Sequence, residues 1–179
     1  MELLKEDGCI GEKAFHGEKE CFFQPFYNVE KKRIWGAEAL FRLKDENGNY
    51  YNMDQLAAKA EEEGWIAEID RWVFREACRR IPELRAYGLK RININLSPEV
   101  CEVPETVPNI MQILRKYEVS RSEVCMEITE MCNTDYLFDQ ILCHPASLRS
   151  PDQFLIELQG LERDLGQPKQ VALPFAEVI

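Results

Sequence analysis

The sequence predicts an α/β fold built on a mostly parallel sheet. Short stretches of period-2 alternation, rich in β-branched and aromatic residues, recur along the chain. Between them stand amphipathic segments of ten residues or more, the pattern of βαβ units. Size and composition agree: 179 residues, 45% hydrophobic and 30% charged, hold enough apolar mass for one core. They exclude a collagen, a low-complexity chain and a coiled-coil rod.

Residues 1–20 lack periodicity and read as a leader or linker. The run Cys-Phe-Phe-Gln-Pro-Phe-Tyr at 21–27 predicts a strand, with Pro25 favouring an edge or an end. A turn at 28–32 leads to a second strand over 33–42, and Asp45-Glu46-Asn47-Gly48-Asn49 has the composition of a loop. Strong helix formers fill 53–63 and stop at Gly64. Ile66, Ile69, Trp72 or Val73, Ala77 and Ile81 then recur at three- and four-residue steps, predicting an amphipathic helix ended by Pro82. A strand follows over 91–96, a helix around Ile110, Ile113, Leu114 and Tyr117, and a strand over 124–129. Further helices are expected over 135–142 and 151–165, with a last short strand over 170–173.

Charge narrows the function classes. Twenty-two Lys and Arg stand against 32 Asp and Glu, a net charge of −10. Polymeric nucleic acid and anionic membrane surfaces need clustered cations, so neither is an expected partner. A small phosphorylated ligand stays compatible, since one metal ion or one arginine holds it locally. No apolar run approaches the roughly 20 residues of a membrane span, and residues 1–20 lack the apolar core of a signal peptide. The seven cysteines are odd in number and show no C-x-x-C spacing, so they are expected as thiols in a reducing, cytoplasmic setting.

Helices cover at least one face of a parallel sheet, so polar residues inside its strands are informative. Period-2 geometry puts Glu38, Leu40 and Arg42 on one face of 33–42, with Ala37, Ala39 and Phe41 opposite. In 91–96 it sets Asn93 and Asn95 against Ile92, Ile94 and Leu96. In 124–129 it sets Glu127 and Thr129 against Val124, Met126 and Ile128. Gln24 stands similarly in the first strand. For one strand a solvent-facing or locally satisfied residue is explanation enough. Repetition near the C-terminal ends of three strands points to a site, since α/β sites gather there. Two carboxylates and an amide are hard oxygen donors suited to Mg²⁺, Mn²⁺ or Ca²⁺. Arg42 is the natural phosphate fork, and the set reads as a metal-dependent phosphoester site.

The same residues carry a family resemblance. Gln24-Pro25-Phe26-Tyr27, Gly36-Ala37-Glu38-Ala39-Leu40-Phe41-Arg42, Ala60-Glu61-Glu62-Glu63-Gly64-Trp65-Ile66, Asn95-Leu96-Ser97-Pro98 and Glu127-Ile128-Thr129-Glu130 occur in that order. Together they resemble the EAL-domain family of cyclic-di-GMP phosphodiesterases over about residues 21–142. The resemblance implies a TIM-like (β/α) barrel with one antiparallel strand. It also implies two Mg²⁺ or Mn²⁺ ions that activate a water to open cyclic di-GMP to pGpG. Glu38, Asn95 and Glu127 match the family's metal ligands, and Gln24, Leu40 and Arg42 its dinucleotide contacts. Glu130 matches a glutamate that orders a loop over the metals.

The departures are specific. The family's next motif, an aspartate pair holding the second metal, has no counterpart, because the chain contains no Asp-Asp. After Glu130 its only lysine is Lys169, which does not match the family's strand lysine. The reading is therefore an incomplete barrel: an N-terminal part of the domain over 21–142 and a diverged C-terminal segment over 143–179. Hydrolysis is expected to be very slow or absent. The alternatives are a non-catalytic module, binding cyclic di-GMP or a protein, or a truncated remnant. A homodimer or another signalling domain is the expected protein partner, because half a barrel leaves an open sheet edge.

Other groups carry less. His16 and His144 stand near no nucleophile pattern and read as loop or surface histidines. Trp65 and Trp72 lie on a helical apolar stripe and are expected in the core, while Glu61-Glu62-Glu63 is expected on a solvated face.

Overall fold

The computed structural model describes residues 17–101, 103–129, 155–159 and 170–172. Strands β1 (Glu18–Asn28) and β2 (Arg33–Lys44) form a long antiparallel ribbon. Asn28 helps to close it, its Oδ1 accepting the Lys31 amide at 2.7 Å. Both strands outrun their expected bounds at the open end, where Lys44 pairs with Glu20 at 2.6 Å and Tyr50 donates to Glu20 at 2.6 Å. Cross-strand charge pairing extends the ladder there without any apolar alternation.

Helix α1 (Met53–Glu62) starts on Asn52, whose Oδ1 accepts the Gln55 amide at 3.1 Å. It is followed by Gly64 at φ 75°, a left-handed position that favours glycine. Helix α2 (Ile66–Ala86) buries Ile66, Ile69, Val73, Phe74, Ala77, Cys78 and Ile81. The expected stop at Pro82 is corrected, because that proline lies inside the helix. The final turn survives through contacts beyond its own backbone. Leu84 packs on the core, and the Arg85 guanidinium holds Glu123 at 2.5 and 2.6 Å and the Glu118 carbonyl at 2.7 Å.

Strand β3 (Arg91–Leu96) lies parallel to β2, and β4 (Val124–Thr129) parallel to β3. Between them run the short α3 (Pro98–Cys101) and α4 (Thr106–Lys116). Strand β5 (Leu155–Gln159) pairs parallel to β4, and β6 (Gln170–Ala172) antiparallel to β5. Leu155–Gln159 falls where a helix over 151–165 was expected, and that expectation is corrected. Leu-Ile-Glu-Leu-Gln is too short a pattern to tell helix from strand, and the parallel ladder with β4 decides it. The short strand expected over 170–173 is present as β6. The helix expected over 135–142 lies outside the described residues.

Among the described residues the sheet is open, in the order β1-β2-β3-β4-β5-β6. One face is apolar: Ala37, Ala39, Phe41 and Leu43 of β2, Ile92, Ile94 and Leu96 of β3, and Val124, Met126 and Ile128 of β4 are all buried. The buried residues of α2 and α4 join them in one core. Each fully buried Ile, Val or Met there contributes roughly 1.5–3 kcal/mol. Trp65 is buried and Trp72 stacks edge-on against Phe41 at 5.4 Å, as a core role requires, while Glu61, Glu62 and Glu63 are exposed. The result is part of a (β/α) barrel, helices outside and the second face turned inward. Among the described residues no helix is long and apolar enough to cross a membrane.

Candidate active site

The inward face carries the polar strand residues. Glu38 is the register partner of Asn93, and Asn95 that of Glu127, so all four side chains share one face across three adjacent strands. Their hydrogen bonds run diagonally to that register. Asn95 donates from Nδ2 to Glu38 Oε1 at 2.8 Å, and Asn93 donates from Nδ2 to Glu127 Oε1 at 2.5 Å. Each carboxylate is thus held by the asparagine one step along from its own partner. The two carboxylates stand on β2 and β4, either side of β3, and the two amides that β3 sets between them make the cluster tolerable. Close backbone approach allows this. Gly36, two residues before Glu38, pairs with Arg91, where a Cβ would sit 2.7 Å from the Arg91 carbonyl oxygen.

Past Ala39 and Ile94 the β2–β3 pairing ends, while β3 stays paired with β4 through Leu96 and Ile128. The two strands part there, and a cavity of about 240 Å³ opens beside them. Leu40, Arg42 and Asn95 line it together, with Asp54 and Asp70 on its helical side. The Arg42 guanidinium lies 5.8 Å from the Phe22 ring centre and donates to the Phe41 carbonyl at 2.7 Å. Gln24 is in register with Glu38 on the edge strand and is exposed. Glu130 lies outside the described residues.

The structure therefore brings Glu38, Asn95 and Glu127 onto one surface and Leu40 and Arg42 to its rim. It adds two side chains that sequence reasoning did not assign, those of Asn93 and Asp70, and one register position, that of Glu157. Asn93 braces Glu127. Glu157 is the register partner of Glu127 on β5, hidden by the expected helix, although the alternation Ile-Glu-Leu was there to be read. Asp70 on α2 accepts the Ser97 amide at 2.6 Å, just beyond β3. Burial pushes its carboxyl up to about 6, with hydrogen bonding from Ser97 pulling the other way.

The donor chemistry fits a hard cation in kind. Glu38, Asn95 and Glu127 offer carboxylate and amide oxygens, without imidazole or thiolate. Among the described residues no three His, Cys, Asp or Glu side chains group closely enough to hold a metal by themselves, so a cation here would need the asparagine oxygen as well. The described cysteines 21, 78, 101 and 125 are thiols, and burial pushes Cys21 up to about 12 and Cys78 upward, which makes them poor nucleophiles.

Comparison with known proteins bears on this geometry. The family model for the EAL domain matches residues 12–159. The signaling protein YkoW of Bacillus subtilis is 33% identical over 117 residues, 64% of this chain and 14% of that protein. The cyclic di-GMP phosphodiesterase PdeF of Escherichia coli is 35% identical over 95 residues, 52% of this chain and 13% of that protein. The solved structure of the PaMucR phosphodiesterase in complex with c-di-GMP superposes with a TM-score of 0.61 at 25% identity, covering 69% of this chain and 52% of that one. The chain thus spans about half of that structure and less than a quarter of either curated relative.

Proposed function

The chain belongs to the EAL-domain family, and on that premise we propose that it carries the N-terminal part of a divalent-metal phosphodiesterase site, binding cyclic di-GMP but hydrolysing it very slowly or not at all. The observation that carries this reading is the diagonal bracing of Glu38 by Asn95 and of Glu127 by Asn93. It holds two carboxylates on the inward face, one on each side of β3, where a cation would offset their shared negative charge. Glu38, Asn95 and Glu127 are the residues to hold Mg²⁺ or Mn²⁺. A cation of that kind supplies Lewis-acid activation of water and neutralisation of phosphate charge.

The chain's own groups do the rest. The Asn95 amide is held by Glu38, and a half-turn of that amide exchanges its donor for its acceptor, as an oxygen ligand requires. Arg42 sets a planar cationic fork at the cavity wall, suited to a phosphate. Leu40 lines the same cavity, and Gln24 extends the polar face to the edge strand. Glu130, which directly follows β4, belongs to the set by its motif. Slow turnover follows from the absent Asp-Asp pair and the unmatched Lys169. A cytoplasmic location, the division at about residue 142, and a second copy or another signalling domain as partner belong to the same reading.

Titration calorimetry of the full chain with cyclic di-GMP, with and without Mn²⁺, tests it alongside chromatography for pGpG. Mn²⁺-dependent binding with little or no pGpG, lost in Glu38→Ala, is expected. No binding under either condition overturns the site. Rapid Mn²⁺-dependent release of pGpG overturns the slow turnover and leaves the site standing.

A further inference from the structure

We propose that Asp70 is a positioning residue for Asn95: its carboxylate anchors the C-terminal end of β3 from the helical layer and so fixes where the Asn95 amide is presented. This rests on the reading of Asn95 as a site residue. Asp70 is the only carboxylate among the buried polar side chains of the described residues, 8% exposed on the apolar stripe of α2. Such a group is costly to bury, and it persists where a specific bond uses it.

Its Oδ2 accepts the backbone N–H of Ser97 at 2.6 Å. Ser97 stands at a junction. It is the first residue beyond β3, two after Asn95, and its carbonyl accepts the amides of Val100 and Cys101 at 3.2 and 3.3 Å where α3 begins. On the β2 side the strand pairing has already ended at Ile94, so Asn95 and Leu96 keep a strand neighbour only in β4. Asp70 provides an anchor from outside the sheet at that point. Asp70 and Asn95 line the same cavity, so an acid on the helical side secures the backbone behind an amide on the inward side. A bond of this kind orients a ligand without touching what the ligand binds.

The test compares Asp70→Ala, Asp70→Asn and Ile81→Ala in the full chain. Ile81 is buried in the same helix and lines neither this cavity nor the junction. Two quantities are read: the Asn95 side-chain amide resonances, assigned by their loss in Asn95→Ala, and Mn²⁺ affinity by calorimetry. Asp70→Ala is expected to shift the Asn95 resonances and to weaken Mn²⁺ binding about 10- to 100-fold. Asp70→Asn keeps an oxygen acceptor for Ser97 and is expected to restore both. Ile81→Ala is expected to lower stability while leaving both near wild type. Unchanged resonances in Asp70→Ala, an equal response in Ile81→Ala, or an Asp70→Asn as disturbed as the alanine overturns the assignment. If the wild type binds no Mn²⁺ but the resonances respond as stated, the positioning stands and the cation reading fails. The Asp70→Asn arm decides the matter should Asp70→Ala fail to fold.

Discussion

A single methyl group at residue 36 separates a site from a steric clash. Gly36 and Arg91 are register partners, and a Cβ on Gly36 would meet the Arg91 carbonyl oxygen at 2.7 Å and Phe26 at 3.3 Å. The first contact is backbone and cannot rotate away. Gly36→Ala is therefore expected to lower stability by about 1–3 kcal/mol in urea unfolding, by pushing β2 from β3 just below Glu38. Asp70 gives a second residue-level prediction, in pH. Its folded carboxyl is raised from 3.8 to about 6, so between those values the folded chain holds more proton than the unfolded one. Stability from this group is then highest below about pH 4, falls as pH rises towards 6, and is level above that. The total is on the order of 3 kcal/mol. Urea midpoints at pH 4, 5, 6 and 7 should show this falling component in the wild type and its absence in Asp70→Asn. Much of this site was legible from period 2 alone, since alternation put Glu38, Asn93, Asn95 and Glu127 on the face opposite the aliphatic residues. Their pairwise bonding was not, because the diagonal bracing depends on strand register, which no single strand encodes. Asp70 was within reach: it is four residues after Ile66 and seven before Ala77, an acid on a buried stripe.

At the scale of elements, α2 shows how tertiary contacts override a local stop. Pro82 cannot donate to the Cys78 carbonyl and crowds the preceding turn, yet the helix runs on to Ala86. Leu84 on the core and Arg85 bound to Glu123 and to the Glu118 carbonyl hold the last turn against that loss. Pro82→Ala should restore the bond and relieve the crowding. After the entropy that alanine returns to the unfolded chain, a gain of about 1–2 kcal/mol is expected from chemical denaturation. A loss of stability instead would mean that the proline's shape is accommodated by its surroundings. The same contrast separates the elements that were legible from those that were not. Arg91–Leu96 and Val124–Thr129 stand at their expected bounds, because strict alternation beside an apolar core leaves one register. Leu155–Gln159 has too short a pattern to choose between periods, and its partner β4 lies 26 residues back in sequence, beyond any local rule. The ends of β1 and β2 were missed for another reason. Glu20, Lys44 and Tyr50 join them by charge and hydrogen bonding, which hydrophobic periodicity does not register.

For the whole molecule, the consequence of the site is mechanical coupling across the sheet. Glu38, Asn95 and Glu127 belong to three consecutive strands, and those strands carry the shared core with α2 and α4. A cation bound by all three cannot persist when any one strand leaves, so it opposes global unfolding rather than local fraying. Linkage sets the size. At a free Mn²⁺ concentration 100 times the dissociation constant, the folded state gains about 2.7 kcal/mol. A chain of this length then melts about 5–11 °C higher. Differential scanning calorimetry across a Mn²⁺ series should show the melting temperature rising with the logarithm of concentration. Glu127→Ala and Glu38→Ala should each flatten that rise, although they lie on strands that do not touch. If only one of the two flattens it, the cation is held by a single strand and its neighbour, and the three-strand site is wrong. If neither does, the rise comes from Mn²⁺ adsorbed on the acidic surface that a net charge of −10 provides, and raised salt should then abolish it.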